Sequence, residues 1–532
     1  MSAELALVGG RVFTADPAIP FVTAVAVGDG RIVAVGPGAE ELIGASTQVI
    51  DLEGALATPG FIDAHVHPVS SGLDRLRISF EGSHDARTAL DAVGRYAADH
   101  PDLPWIVGSG WSQAWFEAGC PSAPDLDAVV GDRPALIMNT DGHGAWVSSR
   151  ALELAGITAS TPDPADGRIE RRPDGAPQGT LHEGAVHLVA RHAPEDSVED
   201  YERGLIRGQD ELIGYGITGW QDAAVSPEIH EAYVRVAGSG QLIGNVVGAL
   251  WWDRHRGLDQ VDELVARREQ SAPGFEPTSV KLMLDGVAEN HTASVLDPYL
   301  DGVGNPTGNL GVDFIDPDEL ASIVTALDSS GFQCHFHALG DRAVRNALDA
   351  IEAAVDANGP SDNRHHLAHL QFVHPDDVAR FPALRAGANA QPLWACNDAY
   401  QTELTRPFVT PQRDSWQYPF GSLLRVGAKL GMGSDWGVST ANVMEEIDVA
   451  VSRTCPEGEP LGPEEAMTPI QALVAFTLGS AYINHCEQDR GSVAVGKLAD
   501  LVVLDRDPLR EGPIRDAEVV STIAGGRVVY ER

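Results

Sequence analysis

The sequence predicts an α/β protein: a (β/α)8 TIM-like barrel over residues 59–479, a small β-sandwich domain formed from residues 1–58 and 480–532, and a long insertion, 68–215, after barrel strand one. Three observations predict it. In the middle of the chain, short apolar runs alternate with helix-like segments, the signature of βα units and a parallel sheet. The two ends are strand-rich and echo each other. One gap, of 148 residues between Pro68 and Tyr215, is too long for a single crossover.

In the first 58 residues the runs TAVAV and RIVAV flank Asp29-Gly30, a turn pair that tolerates positive φ. The last 40 residues read the same way, and GGRVVY at Gly525–Tyr530 repeats the pattern of GGRVF at Gly9–Phe13. Neither end has enough strands for a sheet of its own, so the two are expected to meet in one discontinuous domain. Barrel strands are expected in the runs 61–67, 216–223, 242–250, 279–287, 332–340, 365–373, 387–393 and 427–435. The last seven recur about every 31 residues, the spacing of a barrel of about 250 residues. The insertion should stand on the rim formed by the C-terminal strand ends, where such a segment covers an active site.

Composition narrows the function classes. With 532 residues, 37 Lys+Arg against 77 Asp+Glu and a net charge of −40, the chain would repel a phosphate backbone, which argues against a nucleic-acid partner. No apolar run approaches the ~18 residues of a membrane helix, so a soluble protein without a membrane partner is expected. The N-terminus carries no basic leader followed by an apolar core. Five scattered cysteines, Cys120, Cys334, Cys396, Cys455 and Cys486, form no CxxC pair and fit thiols in a reducing cytoplasm.

The chemistry-bearing residues sit at strand ends. Side chains alternate along a strand, so His65 and His67 in FIDAHVHP share a face and can clamp one metal ion. The same geometry recurs at His335 and His337. In HHLAHLQFV, His365 and His369 share parity, and His366 is read as capping the strand or facing solvent. Asp435 ends the apolar run GAKLGMGSD, the placement of a carboxylate delivered to the rim; a turn or cap role is the alternative. Lys281 interrupts an apolar strand, where a lysine is expensive unless paired or neutralised. It reads as a lumen amine able to take up carbon dioxide as a bridging carbamate, or as the partner of Asp285. Asp341 reads as the N-cap of the helix that follows it.

Together with the stretches TPGFIDAHVHP, GHGAWVSSRAL, DGRI, PQGTLHEGA, VKLMLDG, HALGDRAV, GSDWGV and GSVAVGKLADLVVLD, these residues resemble the amidohydrolase superfamily, and within it the amidohydrolase family 3 group that includes N-substituted formamide deformylases. The resemblance runs over nearly the whole chain. It implies metal ligation by His65, His67, Lys281 as a carbamate, His337 and His369, with Asp435 as ligand and proton shuttle. His337 is preferred to His335 by its His-Ala-x-Gly-Asp context, and His369 by His369-Leu370-Gln371. Ala368 departs from the family, where Glu often precedes that histidine.

A divalent ion, Zn2+ by its imidazole and carboxylate ligands, would lower the pKa of bound water toward 7. One ion is expected, or two if Lys281 is carboxylated. The expected reaction is attack on a carbonyl or amidine-like carbon of a small-molecule C–N substrate, Asp435 acting as general base and then general acid. A deaminase of an aminated ring and a metal-binding scaffold without turnover are the competing readings. His143 and Glu183 in the insertion are candidate substrate-binding residues, with Trp111, Trp115 and Trp146 as apolar walls or as the insertion's own core. Family habit suggests a homodimer.

Overall fold

The structure is a computed structural model and describes residues 2–455 and 458–532. Eight parallel strands form its central sheet: β1 (Phe61–Val66), β2 (Ile217–Val225), β3 (Asn245–Trp251), β4 (Phe275–Met283), β5 (Gln333–Ala338), β6 (His366–His369), β7 (Gly387–Ala390) and β8 (Lys429–Met432). They pair in chain order from β1 to β8. The sheet curls until its two edges meet. Asp435 N–H donates to the His65 carbonyl and His67 N–H to the Trp436 carbonyl, both at 2.8 Å. Below them, Asp63 on β1 accepts from the backbone N–H and hydroxyl of Ser434 at 3.1 and 2.5 Å. Gly433 must be glycine there, because a Cβ would stand 2.4 Å from the His65 nitrogen. The result is a nearly closed barrel.

Helices such as Pro227–Gly238, Pro317–Ser329 and Asp341–Asn358 cover the barrel. Their inward residues, Tyr233, Ile323, Val324, Val344 and Leu348 among them, share one apolar cluster with the strands. Strands from both chain ends form a six-stranded sheet in which Leu56–Pro59 lies between Arg11–Phe13 and Leu501–Leu504. A four-stranded sheet of N-terminal strands packs on it through Leu7, Val25, Ile32, Leu501 and Ile523. The Asp29-Gly30 turn forms as expected, with φ of 51° and 72°.

Within 68–215, the helices Pro68–Asp74 and Val198–Gly214 pack on each other so closely that a Cβ on Gly72 would lie 1.9 Å from the Gly204 carbonyl oxygen. Val69, Leu205 and Leu212 join the barrel's cluster. Between those helices stands a separate five-stranded sheet, from Ile106–Trp111 to Pro177–Glu183 in the chain, with its own cores. Trp111 belongs to one of them: it is fully buried and donates its indole N–H to the Ile137 carbonyl at 2.8 Å. This corrects the expectation that it lines the substrate cavity. Trp146 packs against it in the same core.

Three further expectations are corrected. Cys396 and Cys455 are joined by a disulfide; the segment after β7 and the turn after helix Val443–Ser452 bring their Cα atoms to 5.4 Å, within bridging reach. Cys120, Cys334 and Cys486 are free. Asp341 is not a cap: the helix's cap position is Gly340, and Asp341 is fully buried, accepts from Leu296 N–H and lies 3.4 Å from the Arg413 guanidinium. His366 does not meet solvent but is fully buried inside the barrel. No helix among the described residues is long and apolar enough to cross a membrane.

Candidate metal centre

The C-terminal ends of β1, β5, β6 and β8 deliver four imidazoles and one carboxylate to the floor of one cavity at the rim. His65 Nε2 and His67 Nε2 lie 3.3 and 3.2 Å from Asp435 Oδ1, and His369 Nδ1 lies 3.9 Å from Asp435 Oδ2. One ligand atom each of His65, His369 and Asp435 falls within 4.8 Å of the others. The His337 ring sits 4.5 Å from that of His369.

Equally informative is what these atoms do not do. His337 Nε2, His369 Nδ1 and Asp435 Oδ1 are buried and have no hydrogen-bond partner. Buried polar atoms are nearly always paired, and orphaned His369 Nδ1 and Asp435 Oδ1, in the group that also holds His65, are what an ion would satisfy, with His337 Nε2 left 3.9 Å from Asp285 Oδ1. Burial holds His65 down to about 3, and drives His337 and His369 well below the ordinary imidazole range, so all three are neutral donors. Burial opposes the charge on Asp435, but the neighbouring His65, His67 and His369 hold its carboxyl well below the usual range. Neutral imidazoles around a carboxylate suit a divalent cation.

Backbone geometry explains how His369 arrives. By strand alternation it should share a face with His365, yet His365 points away from the rim, to Asp328 at 3.1 Å. His369 ends β6 with a φ of 75° and Leu370 follows at 52°, a left-handed kink that redirects the ring. Gln391 fixes the kink by accepting from His369 N–H at 2.7 Å, and Trp394 stacks flat on the ring at 5.3 Å.

His335, set aside in favour of His337, lies one layer lower. Its Nε2 is 2.8 Å from His65 Nδ1, which leaves His65 Nε2 to face Asp435. Neither this contact nor the Trp394 stack has a local sequence signal, because each joins distant parts of the chain.

Lys281 is buried at the base of the site, beside His335 in the β4–β5 register. Burial pulls its ammonium down to about 7, against the attraction of Asp435 and Asp222. Asp285 is not its partner: it accepts from the backbone N–H groups of Ser294, Leu339 and Gly340 at 2.9, 3.1 and 2.8 Å. An amine so poised is nucleophilic near neutral pH.

A cavity of about 540 Å³ opens over the centre, walled by the rim residues and by the insertion. His143 and Glu183 reach it from that insertion. His143 Nδ1 is 2.9 Å from Glu183 Oε2, and Thr292 donates to Glu183 Oε1 at 2.8 Å. Burial works against the His143 charge, but the paired Glu183 raises it to about 9. The imidazolium ring stands 5.2 Å from His337. Of the residues expected at the site, His65, His67, Lys281, His337, His369, Asp435, His143 and Glu183 line this one cavity, and Trp111 does not.

Comparison with known proteins bears on this arrangement. The profile of the amidohydrolase family matches residues 48–530. Protein LONG AFTER FAR-RED 3 of Arabidopsis thaliana is 30% identical, covering 99% of this chain and 92% of its own. The N-substituted formamide deformylase of Arthrobacter pascens is 28% identical over 99% of this chain and 98% of its own. Among solved structures, an uncharacterized metal-dependent hydrolase from Pyrococcus furiosus superposes with a TM-score of 0.72 at 25% identity, covering 95% of this chain and 99% of that one.

Proposed function

The chain belongs to the amidohydrolase family, and from that premise we propose that it hydrolyses a C–N bond of a small amide or N-substituted formamide, using a divalent cation held by His65, His67, His337, His369 and Asp435. The observation that carries this reading is the convergence of ligand atoms of His65, His369 and Asp435 within 4.8 Å, with His369 Nδ1 and Asp435 Oδ1 buried and unpartnered. Zinc suits the donor set, and a carboxylated Lys281 would hold a second ion. When bound, the cation supplies Lewis acidity and makes water acidic enough to lose a proton near neutral pH.

The chain's own groups do the rest. Asp435, held ionised by its neighbouring imidazoles and central, accepts the proton of the attacking water and returns it to the departing nitrogen. His143, its Nδ1 taken by Glu183, keeps Nε2 to donate to the substrate's acyl oxygen, where negative charge develops. The insertion and Trp394 wall the cavity over the centre.

The test is metal content and turnover on one preparation. The purified protein should carry about two equivalents of divalent metal, falling in Lys281→Ala, and should release formate or a carboxylate together with an amine from a panel of formamides and amides. Ammonia as the sole nitrogen product from aminated rings would replace this reading with a deaminase. A full metal complement with no turnover of either class would replace it with a scaffold.

A further inference from the structure

A second cavity, of about 270 Å³, opens beside the first and shares Thr140, Asp141, Trp394 and Val438 with it. We infer that it is a subsite for the positively charged end of the substrate, an ammonium, amidinium or guanidinium group; the inference rests on the proposed hydrolysis only for what happens at the substrate's other end.

The charge on its walls is one-sided. Asp141, Glu289 and Asp398 line it, and Lys, Arg and His are absent from the lining among the described residues. Asp141 Oδ1 accepts from His143 N–H at 2.7 Å and Oδ2 from the Gln113 amide at 3.4 Å, both neutral donors. The cation that acts on Asp141 and Glu289, the His143 ring, is already paired with Glu183, and Arg453, behind Tyr418, is spent on backbone carbonyls. Burial, and then the charge of Asp141, push the Glu289 carboxyl up to about 8. Half-buried carboxyl groups whose one neighbouring cation is already paired are costly to ionise, and an incoming cation offsets that cost.

Independently of the acids, the cavity contains idle acceptors. Gln401 and Thr405 line it at 4% and 1% exposure, and Gln401 Oε1 and Thr405 Oγ1 have no partner. A ligand rich in N–H groups satisfies both. Three aromatic rings, Trp394, Tyr400 and Tyr418, add faces that attract a cation. Tyr400 is held in place by Ser112 Oγ at 3.0 Å and Gln113 N–H at 3.2 Å.

The spacing selects an organic cation over a metal ion. Among the described residues, the acids of this cavity are in no group of three donors within 4.8 Å, the arrangement that His65, His369 and Asp435 do have. Trp394, stacked on His369, is the shared wall. A substrate lying across it puts its C–N bond at the metal centre and its charged end among Asp141, Glu289 and Gln401.

Calorimetric titration of the purified holoenzyme with n-butylguanidinium and n-butylammonium tests the subsite without turnover, with n-butanol and butyrate as controls. Both cations should bind and the controls should not. Glu289→Gln should weaken the cations at least about tenfold, the scale of losing a carboxyl that a bound cation draws into its ionised form, and Asp398→Asn at the exposed mouth should weaken them less. Gln401→Leu, which preserves the cavity's charge, should also weaken them and serves if Glu289→Gln does not fold. Butanol binding as tightly as butylammonium, or unchanged cation affinity in these variants, overturns the subsite. Matched N-formyl substrates with ammonium or methyl ends separate the two readings. Equal KM for both ends overturns the subsite and leaves the hydrolase. Cation binding without hydrolysis of any substrate overturns the hydrolase and leaves the subsite.

Discussion

The barrel holds two layers of buried histidines that differ in one respect. In the lower layer every ring nitrogen of His365 and His366 has a partner. His365 accepts from Cys334 N–H at 3.0 Å and meets Asp328 at 3.1 Å, and His366 lies 2.9 Å from Gln221 Oε1 and 3.3 Å from Asn389 Nδ2. Gln221 passes the chain of bonds to Gln333, which donates to the carbonyls of Arg364 and Ile483. In the rim layer His337 and His369 keep unpartnered nitrogens facing a carboxylate. Residue type and burial are the same in both. Partnering distinguishes His365 and His366 from the proposed ligands His337 and His369, and His335, bonded upward to His65 through Nε2 with its buried Nδ1 unpartnered, joins the layers.

Substitutions can break this contrast. The largest effect is expected from Asp435→Asn: turnover should fall by about 10²–10⁴, the usual contribution of a positioned proton-transfer group, while the melting temperature hardly moves. Steady-state rates and a thermal melt on one sample check it; wild-type turnover would remove Asp435 from proton transfer. Next is His335→Phe, which touches no ion but frees His65 Nδ1. Metal affinity should drop about 10–100-fold, as for other groups that orient a ligand, read by competition with a chromogenic chelator. Unchanged affinity would make His335 a packing residue.

The lower layer should answer in stability instead. Asp328 accepts from His365, Asn358, Ser361 and Asn363, and these bonds hold its carboxyl well below its ordinary 3.8 in spite of burial. A carboxyl depressed in the folded state contributes stability above its unfolded pKa, and that contribution fades as pH falls through the folded value. Asp328→Asn should therefore cost about 1–3 kcal/mol near neutral pH, the range for a broken buried hydrogen-bond set, and less at acid pH. Denaturant melts at pH 7 and pH 3 check the sign. Its kcat should match wild type; a collapse of kcat at full stability would erase the distinction between the layers.

Much of this was legible in the chain. The alternation of apolar runs marked all eight barrel strands, because a strand buried on both faces is apolar except where a polar side chain finds a partner in the barrel's interior. HVH at 65–67 announced its geometry through the two-residue period of a strand. The same period misled at 365–369, where His369 takes a left-handed φ that no pattern encodes. Trp111 looked like a pocket wall because an aromatic residue in an insertion reads alike in either role until its neighbours are known.

What the sequence determined by itself is the set of local facts: where strands run, which polar residues interrupt them, and that imidazoles, an amine and a carboxylate fall at strand ends. Only the tertiary structure decided which of those residues meet. The pairing of Cys396 with Cys455, the bond from His335 to His65 and the acids gathered beside Trp394 all depend on distances between segments far apart in the chain. Periodicity is a property of neighbouring residues; coordination and charge pairing are set by the closed barrel.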